Sequence, residues 1–227
     1  MGMLKTRYLD IITAIFVTVL LLSNIASTKI AALGKISFDG GTILFPLAYI
    51  FGNILTEVYG FARARRVIWI GFAMNVLMVL TFWVVGMLPA DAVWGLQDAY
   101  DSILGVIPRI VLGSLAAYLI GEFANSIILA IMKVQSGGKK FWMRALGSTI
   151  VGQALDTTVF LMIAFAGVLP WDLLGVIWVT NYVFKIAIEI VFLPVTYKIV
   201  RWLKTQEVID YFDEDTNFSP IAIKTEN

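Results

Sequence analysis

The sequence predicts an all-α integral membrane protein with six transmembrane helices. Of its 227 residues, 59% are hydrophobic and 15% are charged, and the mean hydropathy is +0.86. A soluble domain cannot bury so much apolar surface in one core. The apolar residues also fall into six stretches that can each cross a hydrocarbon layer, which takes a helix of roughly 20 residues. Helices rather than strands are predicted, because backbone groups in lipid must be satisfied internally.

Polar breaks separate the helices, which we place at Leu9–Leu33, Gly41–Gly60, Val67–Leu88, Ser102–Met132, Trp142–Leu169 and Trp171–Trp202. The first follows a charged start, but its apolar run is too long for a signal peptide, so it is predicted to be an anchor. It ends at GKISFDGG, the second at FARARR, the third at LPADAVWGLQDAYD and the fourth at KVQSGGKKF, while Pro170 separates the last two. Residues 1–204 form the predicted transmembrane domain. Residues 205–227 form a polar cytoplasmic tail, predicted to be disordered.

Basic residues predict the orientation, because short cytoplasmic loops retain Lys and Arg. The retained residues are Lys5 and Arg7 before helix one; Arg63, Arg65 and Arg66 after helix two; Lys133, Lys139, Lys140 and Arg144 after helix four; and Lys198, Arg201 and Lys204 at the end of helix six. Only Lys29 and Lys35 fall on the opposite face. Both termini are therefore predicted to be cytoplasmic.

Charged residues remain inside the predicted helices: Glu57, Arg109, Glu122, Asp156, Lys185 and Glu189. A charge at membrane depth costs about 3 kcal/mol or more unless it meets a partner or water, so each is a candidate functional residue. Asp156 follows Trp142 by 14 residues, and Lys185 follows Trp171 by 14. At about 1.5 Å per residue, both lie about 21 Å along antiparallel neighbouring helices. They are predicted to meet near the midplane.

Polar stripes on several helices predict one wet, partly aromatic binding cavity. The candidate substrate-binding residues are Asn24 on helix one; Phe45, Tyr49, Asn53 and Glu57 on helix two; Arg109 on helix four; Gln153 and Asp156 on helix five; and Asn181, Lys185 and Glu189 on helix six. Neighbouring members on one helix are three or four residues apart and share a face. Ser148 and Gly152 add a small-residue spacing that allows close helix contact.

Structural roles compete with binding at several positions. Asp156 and Lys185 could form only a packing ion pair, since such pairs are often neutral for stability. Glu57 could reach lipid headgroups or the neighbouring arginines. Glu122 is balanced between a packing network and the cavity. The rings at positions 45 and 49 are more often lipid or core contacts than ligand platforms.

Missing residue types and motifs disfavour other function classes. The chain has no Cys and no His, which removes thiol chemistry, thiol metal ligands and the commonest general base. It has no Walker A motif to bind ATP, and no HExxH or G-x-S-x-G motif for hydrolysis. We therefore predict no metal site, no cofactor and no enzymatic activity.

Four segments together resemble one known family: FPLAYIFGNILTEVYGFARARR, RIVLGSLAAYLIGE, STIVGQALDTTVFLMIAF and NYVFKIAIEIVFLPVTY. They are similar to the vitamin uptake transporter family, the bacterial queuosine precursor transporters, over most of the chain. The resemblance implies a six-helix carrier in the bacterial inner membrane, with a fold similar to the substrate-binding subunits of energy-coupling-factor transporters. Its implied cargo is 7-deazaguanine bases such as 7-cyano-7-deazaguanine. The family's motif residues fall here on Glu57, Arg109, Gln153, Asp156 and Lys185, while many members have an acid in place of Asn53.

The chemistry of a guanine-type base agrees with that implication. Its Watson–Crick edge offers two N–H donors, which Asp156 could accept, and a carbonyl, which Gln153 could serve. A ring such as Phe45, Tyr49 or Trp178 could stack on the base. The predicted partners are this small molecule and membrane lipid, without nucleic acid, and a homodimer stays open.

The prediction is therefore an uptake transporter that acts alone or uses an ion gradient. Two other classes stay open. One is a substrate-binding subunit of an ATPase-driven vitamin or nucleobase uptake complex, although helix one lacks the A-x-x-x-A docking pattern of many such subunits. The other is a membrane enzyme, which the missing catalytic motifs disfavour.

Overall fold

The chain folds into seven α-helices and one β-hairpin in a computed structural model that describes residues 6–26, 28–33, 36–104, 108–167 and 170–221. The helices are α1 (Leu9–Ala26), α2 (Phe45–Tyr59), α3 (Phe61–Gly86), α4 (Gln97–Leu104), α5 (Pro108–Gln135), α6 (Phe141–Phe165) and α7 (Trp171–Glu207). Strands β1 (Ile30–Leu33) and β2 (Ile36–Asp39) pair antiparallel. A 3-10 turn at Gly40–Ile43 connects the hairpin to α2.

Five helices in the described ranges are long and apolar enough to cross a membrane: α1, α3, α5, α6 and α7. In an apolar stretch of 18 residues, only 6% is buried inside the bundle for α7, and 22% for each of α1 and α3. The remaining apolar surface is suited to contact lipid rather than water. The predicted helical, multi-pass membrane class is therefore confirmed, with five candidate spans.

α2 is a short helix that lies among the long ones. Its 15 residues reach about 22 Å, and it packs against α1, α3, α5 and α7. Ile54, Leu55 and Val58 are at most 1% exposed, so they form the middle of the apolar core. α2 ends at Gly60, whose φ of 84° suits glycine, and α3 begins at the next residue. The chain therefore reverses at one residue.

The prediction that helix one continues to Leu33 is wrong. α1 ends at Ala26, and the backbone N–H groups of Thr28 and Lys29 donate to the carbonyls of Ile25 and Ala26 three residues back. This tightened last turn closes the helix. The apolar residues Ile30–Leu33, which the hydropathy pattern assigned to the helix, form the strand β1 instead.

The arginine cluster FARARR was predicted to be a break between helices, which is wrong. α3 begins at Phe61 and takes Arg63, Arg65 and Arg66 into its first two turns. Arginine is a good helix former, and Gly60 alone provides the reversal.

The predicted fourth helix is divided in the structure. Ser102 belongs to the short, exposed helix α4, and α5 starts at Pro108. Proline suits the first position of a helix because the N–H it lacks would have no intrahelical partner there.

The segment after α7 packs against the bundle, so the prediction of disorder is wrong for residues 208–221. Both carboxylate oxygens of Asp213 accept the backbone N–H of Phe61 at 3.0 Å and cap α3. Asp213 is 2% exposed, and this burial raises its pKa. The backbone N–H of Tyr211 donates to the carbonyl of Val58 at 3.3 Å. Apolar contacts add to these polar ones, since the ring of Phe218 lies 5.3 Å from that of Phe61 and Ile209 is buried.

The start of α1 and the end of α7 lie at the same end of the bundle. The carboxylate of Glu207 accepts the backbone N–H groups of Arg7 at 2.8 Å and Tyr8 at 2.7 Å. The ring of Tyr8 also lies 5.1 Å from that of Trp202.

Candidate substrate-binding site

A layer of polar side chains crosses the bundle where α2, α5, α6 and α7 meet. We call it the polar layer, and it contains Tyr49, Asn53, Glu122, Asn125, Thr149, Gln153, Asp156, Lys185 and Glu189. Except for Asp156 and Lys185, each is at most 6% exposed. Buried groups of this kind are expensive unless they are paired or bind something.

Asp156 and Lys185 meet as predicted. The Nζ atom of Lys185 lies 2.6 Å from Oδ2 of Asp156, and the side chains are 18% and 15% exposed. The pair therefore joins α6 to α7 at one side of the polar layer. Because both side chains keep some exposure, a solute that reaches the layer can contact them.

Asn53 connects four helices on the other side of the layer. Its Nδ2 donates to Oε1 of Glu189 at 2.8 Å and to Oγ1 of Thr149 at 3.3 Å. Its Oδ1 accepts from Nδ2 of Asn125 at 3.0 Å. Thr149 also donates to Glu189, at 3.3 Å. An amide can donate and accept at once, so it suits this junction better than a carboxylate would.

Two glycines bring α5 and α6 into close contact beside Asp156. A Cβ added at Gly121 would lie 2.6 Å from the hydroxyl of Tyr49 and 2.7 Å from Cβ of Asp156. A Cβ added at Gly152 would lie 2.9 Å from the carbonyl oxygen of Gly121 and 2.9 Å from Cβ of Asn125. The predicted close contact at Gly152 is confirmed, and it places Tyr49 against the acid.

Several buried oxygen atoms of the polar layer have no hydrogen-bond partner among the described residues. They are the Tyr49 hydroxyl, both carboxyl oxygens of Glu122, Oδ1 of Asn125, Oε1 of Gln153 and Oε2 of Glu189. More than about 90% of buried polar groups in proteins are hydrogen-bonded. This concentration makes the layer a candidate site for a polar guest. Since most of these atoms are acceptors, the complementary guest carries N–H or O–H donors.

Trp178 and Tyr182 form an aromatic pair on the same helix as Lys185. Their ring centroids are 4.7 Å apart and the planes differ by 24°. The indole N–H of Trp178 donates to Oγ1 of Thr158 at 2.9 Å, and the hydroxyl of Tyr182 donates to the carbonyl of Ile150 at 3.2 Å. These bonds hold the rings across the α6–α7 interface.

Glu57, a predicted site residue, lies in a separate ion cluster at the end of the bundle. The Glu57 cluster comprises Glu57, Lys133, Arg144, Lys204 and Asp210. Arg144 grips the Glu57 carboxylate with both Nη atoms, and Lys204 Nζ lies 2.5 Å from Oε1. Lys133 and Lys204 lie 2.5 and 2.9 Å from Asp210. Burial alone would raise the pKa of Asp210, but hydrogen bonds from these lysines outweigh it and hold the pKa below its usual value.

Lys133 was predicted to lie in the break KVQSGGKKF, which is wrong, whereas Arg144 lies in a helix, as predicted. Lys133 is 0% exposed and Arg144 is 2% exposed, because they belong to the last turn of α5 and the first turn of α6. The buried Glu57 gives the physical reason, since its charge requires cations. A cleft of about 510 Å³ opens beside Glu57 and is lined by Lys139, Lys140, Phe141, Tyr197, Arg201 and Lys204, among others.

Asn24, another predicted site residue, belongs to a different polar group. Its Nδ2 donates to Oδ1 of Asn75 at 2.6 Å, and its Oδ1 accepts from Oγ of Ser114 at 3.4 Å. This group joins α1, α3 and α5. Sequence reasoning missed Asn75, which is a single amide in an apolar run without a polar neighbour at helical spacing.

The remaining predicted residues are placed only in part. Asn181 is half-buried on α7, one turn before Lys185. The side chains of Phe45 and Arg109 lie outside the described residues. Asn125 was not predicted as a site residue, because its row of small residues on α5 favoured helix packing over chemistry.

Comparison with known proteins identifies a transporter family. The family model described as "Putative vitamin uptake transporter" matches residues 39–199, which include the whole polar layer. A Bacillus subtilis (strain 168) protein named "Probable queuosine precursor transporter" is 31% identical over 189 residues, 82% of this chain and 81% of the relative. The "Queuosine precursor transporter" of Escherichia coli (strain K12) is 26% identical over 174 residues, 75% of this chain and 76% of the relative.

No solved structure matches the chain significantly. The named relatives are transporters and not enzymes, and the matched segment covers most of the helices, including all four that build the polar layer. The chain belongs to the vitamin uptake transporter family.

Proposed function

We propose that this chain imports queuosine precursors, 7-cyano-7-deazaguanine and related 7-deazaguanine bases, across the bacterial inner membrane. Membership of the family and the names of its relatives support the transport of such precursors. The observation that carries the proposal is the polar layer, whose buried, unpartnered oxygen atoms are mostly acceptors. A 7-deazaguanine base is a flat, neutral molecule with an edge of N–H donors.

The layer offers the groups that such an edge requires. Oδ2 of Asp156 holds Lys185, and the other carboxylate oxygen can accept an N–H of the base. Oε1 of Gln153, one turn earlier on α6, has no partner among the described residues and adds an acceptor, while its NH2 group can donate to the base carbonyl. The Lys185 ammonium group lies against the Asp156 carboxylate, and hydrogen bonds to a charged carboxylate are stronger than those to a neutral acceptor.

We assign the binding of the base to Asp156, Gln153 and Lys185. Tyr49, Asn53 and Glu189 complete the polar layer around them. Asn181, Arg109 and Phe45 stay predicted contacts. Glu57 supports the end of the bundle through its ion cluster, and Asn24 supports the α1–α3–α5 contact.

We further propose that α2 is the sixth membrane crossing, with the 3-10 turn at Gly40–Ile43 extending its reach. An even number of crossings agrees with the contact of Glu207 with Arg7 and Tyr8, since it leaves both chain ends on one side. The basic residues make that side cytoplasmic. Six helices would match the substrate-binding subunits of energy-coupling-factor transporters. A phosphatase reporter fused after residue 227 should be inactive, and a periplasmic signal would contradict this topology.

Binding selectivity tests the proposed site. The purified protein should bind 7-cyano-7-deazaguanine and reject adenine, because adenine reverses donor and acceptor and leaves buried groups unpaired at about 1–3 kcal/mol each. Titration calorimetry with both bases measures the difference. Equal affinity for the two would refute recognition of the guanine edge.

A further inference from the structure

We propose that Glu122 binds a proton that enters with each base, so that the proton gradient drives uptake. This inference rests on the proposed function and adds its energy source. It starts from the position of Glu122, which follows Pro108 by 14 residues in the 28-residue helix α5 and so lies halfway along it. Glu122 therefore sits at the depth where a charge is most costly.

The surroundings of Glu122 favour a neutral carboxyl group. The residue is 1% exposed, and neither carboxyl oxygen has a hydrogen-bond partner among the described residues. A carboxylate without partners or water is strongly disfavoured in an apolar medium, and a bound proton removes that charge.

Glu57 provides the internal comparison. It is also a buried glutamate, at 0% exposure, but Arg144 and Lys204 neutralise it through direct contacts. Within the described ranges, Glu122 makes no such ion pair. Arg109 belongs to the same helix, 13 residues away, which corresponds to about 20 Å. The charge of Glu57 is therefore balanced by cations, whereas Glu122 requires a bound proton to be neutral.

The titratable groups around Glu122 are mostly acidic. Those that interact with it electrostatically, in the part of the chain that is described, are Asp156 on α6, Glu189 on α7, and the hydroxyls of Tyr49 on α2 and Tyr118 on α5. The ammonium group of Lys185 is 2.6 Å from Asp156. Ionisation of Glu122 would thus add a third carboxylate to a layer in which that lysine faces Asp156.

The contact between α5 and α2 gives the proton a mechanical effect. The Glu122 carboxyl lies directly against Gly52, so close that a Cβ added at Gly52 would overlap its Oε1 atom. Tyr49 and Asn53 of the polar layer belong to the same part of α2. Loss of the proton would force this carboxyl group towards water and separate α2 from α5. The closed layer that holds the base is therefore also the state that binds the proton, and each ligand favours binding of the other.

Transport by purified protein in liposomes tests the coupling. Labelled 7-cyano-7-deazaguanine is supplied in the external buffer, whose pH is one unit lower than that of the liposome interior. Potassium and valinomycin hold the membrane potential at zero. One proton per base supports about tenfold accumulation, since one pH unit and a tenfold concentration ratio are each worth about 1.4 kcal/mol. Addition of the base should also acidify the interior, as read by an internal pH dye.

Glu122→Gln preserves the shape of the side chain and removes the titratable group. This variant should still exchange external for internal base but should accumulate none, with a final ratio near one. Asp172→Asn, which removes an exposed carboxylate at the start of α7, should accumulate base like the wild type.

The outcomes separate this inference from the proposed function. If the wild type exchanges base but neither accumulates it nor acidifies the interior, the proton coupling is wrong and the transporter assignment stands. If wild-type protein does not exchange the base at all, the proposed function itself fails. Normal accumulation by Glu122→Gln, or an equal loss of accumulation in Asp172→Asn, overturns the assignment to Glu122. Should the Gln variant not fold, Glu122→Asp must stay coupled with a shifted pH dependence, and an unchanged pH dependence contradicts the inference.

Discussion

The variant Asp156→Asn separates a binding role of Asp156 from a scaffolding role. Asparagine keeps the shape of the side chain but replaces one acceptor by an NH2 donor that would face the N–H groups of the base. A hydrogen bond to a charged group contributes about 1.5–3 kcal/mol. Its loss should weaken binding of 7-cyano-7-deazaguanine by about 10- to 100-fold, at about 1.4 kcal/mol per factor of ten.

The same variant also affects stability, because it leaves Lys185 without its carboxylate. Breaking a fully buried ion pair costs about 3–5 kcal/mol. Here the side chains of Asp156 and Lys185 are 15% and 18% exposed. The loss of stability should therefore be smaller, about 1–3 kcal/mol, as for a single unsatisfied polar group. Lys185→Met should also be destabilised, since it leaves the Asp156 carboxylate without its cation.

The assay measures thermal unfolding and base affinity side by side for Asp156→Asn, Lys185→Met and the double variant. If Asp156 binds the base, the double variant recovers stability but not affinity. Recovery of both stability and affinity in the double variant would refute a binding role and leave the pair as scaffolding.

Three further predictions concern the structure around the layer. Gly152→Val should separate α5 from α6 and destabilise the protein by about 1–3 kcal/mol through overpacking, which a lower melting temperature would show. The control Gly175→Val, which has open space around it, should melt like the wild type. Arg144→Met should destabilise the protein by about 3–5 kcal/mol, because Glu57 loses its two-point partner; an unchanged melting temperature would contradict the Glu57 cluster. Asp210→Asn should release the segment after α7 to proteases at neutral pH, since the depressed pKa of Asp210 keeps its stabilising charge until the pH falls through that value; equal cleavage rates would argue against it.

The sequence predicted the centre of the site because spacing along a straight helix is reliable. Asp156 and Lys185 stand equally far from the tryptophans that begin their helices, so antiparallel packing brings them together. The stripe through Tyr49 and Asn53 faces the same layer for a similar reason, since residues four apart share a face. The helical membrane class followed from hydropathy.

Other features depend on contacts that no local pattern contains. The ends of α1 and α3 are set by the hairpin and by Gly60, so the hydropathy and charge patterns placed both wrongly. Glu57 continues the four-residue spacing of Tyr49 and Asn53 but meets Arg144, which lies 87 residues later in the chain. The ordered segment after α7 depends on Asp213 capping a helix more than 150 residues earlier in the chain. Such pairings require the fold to be known.

The most direct test of the central claim is uptake of labelled 7-cyano-7-deazaguanine by liposomes that contain this protein alone. The proposed function predicts that the base enters, that unlabelled 7-deazaguanine bases compete, that adenine does not compete, and that Asp156→Asn reduces the rate by about 10-fold or more, as the loss of a charged hydrogen bond requires. Absence of uptake by a folded, correctly inserted wild-type protein, or equal competition by adenine, would contradict the claim.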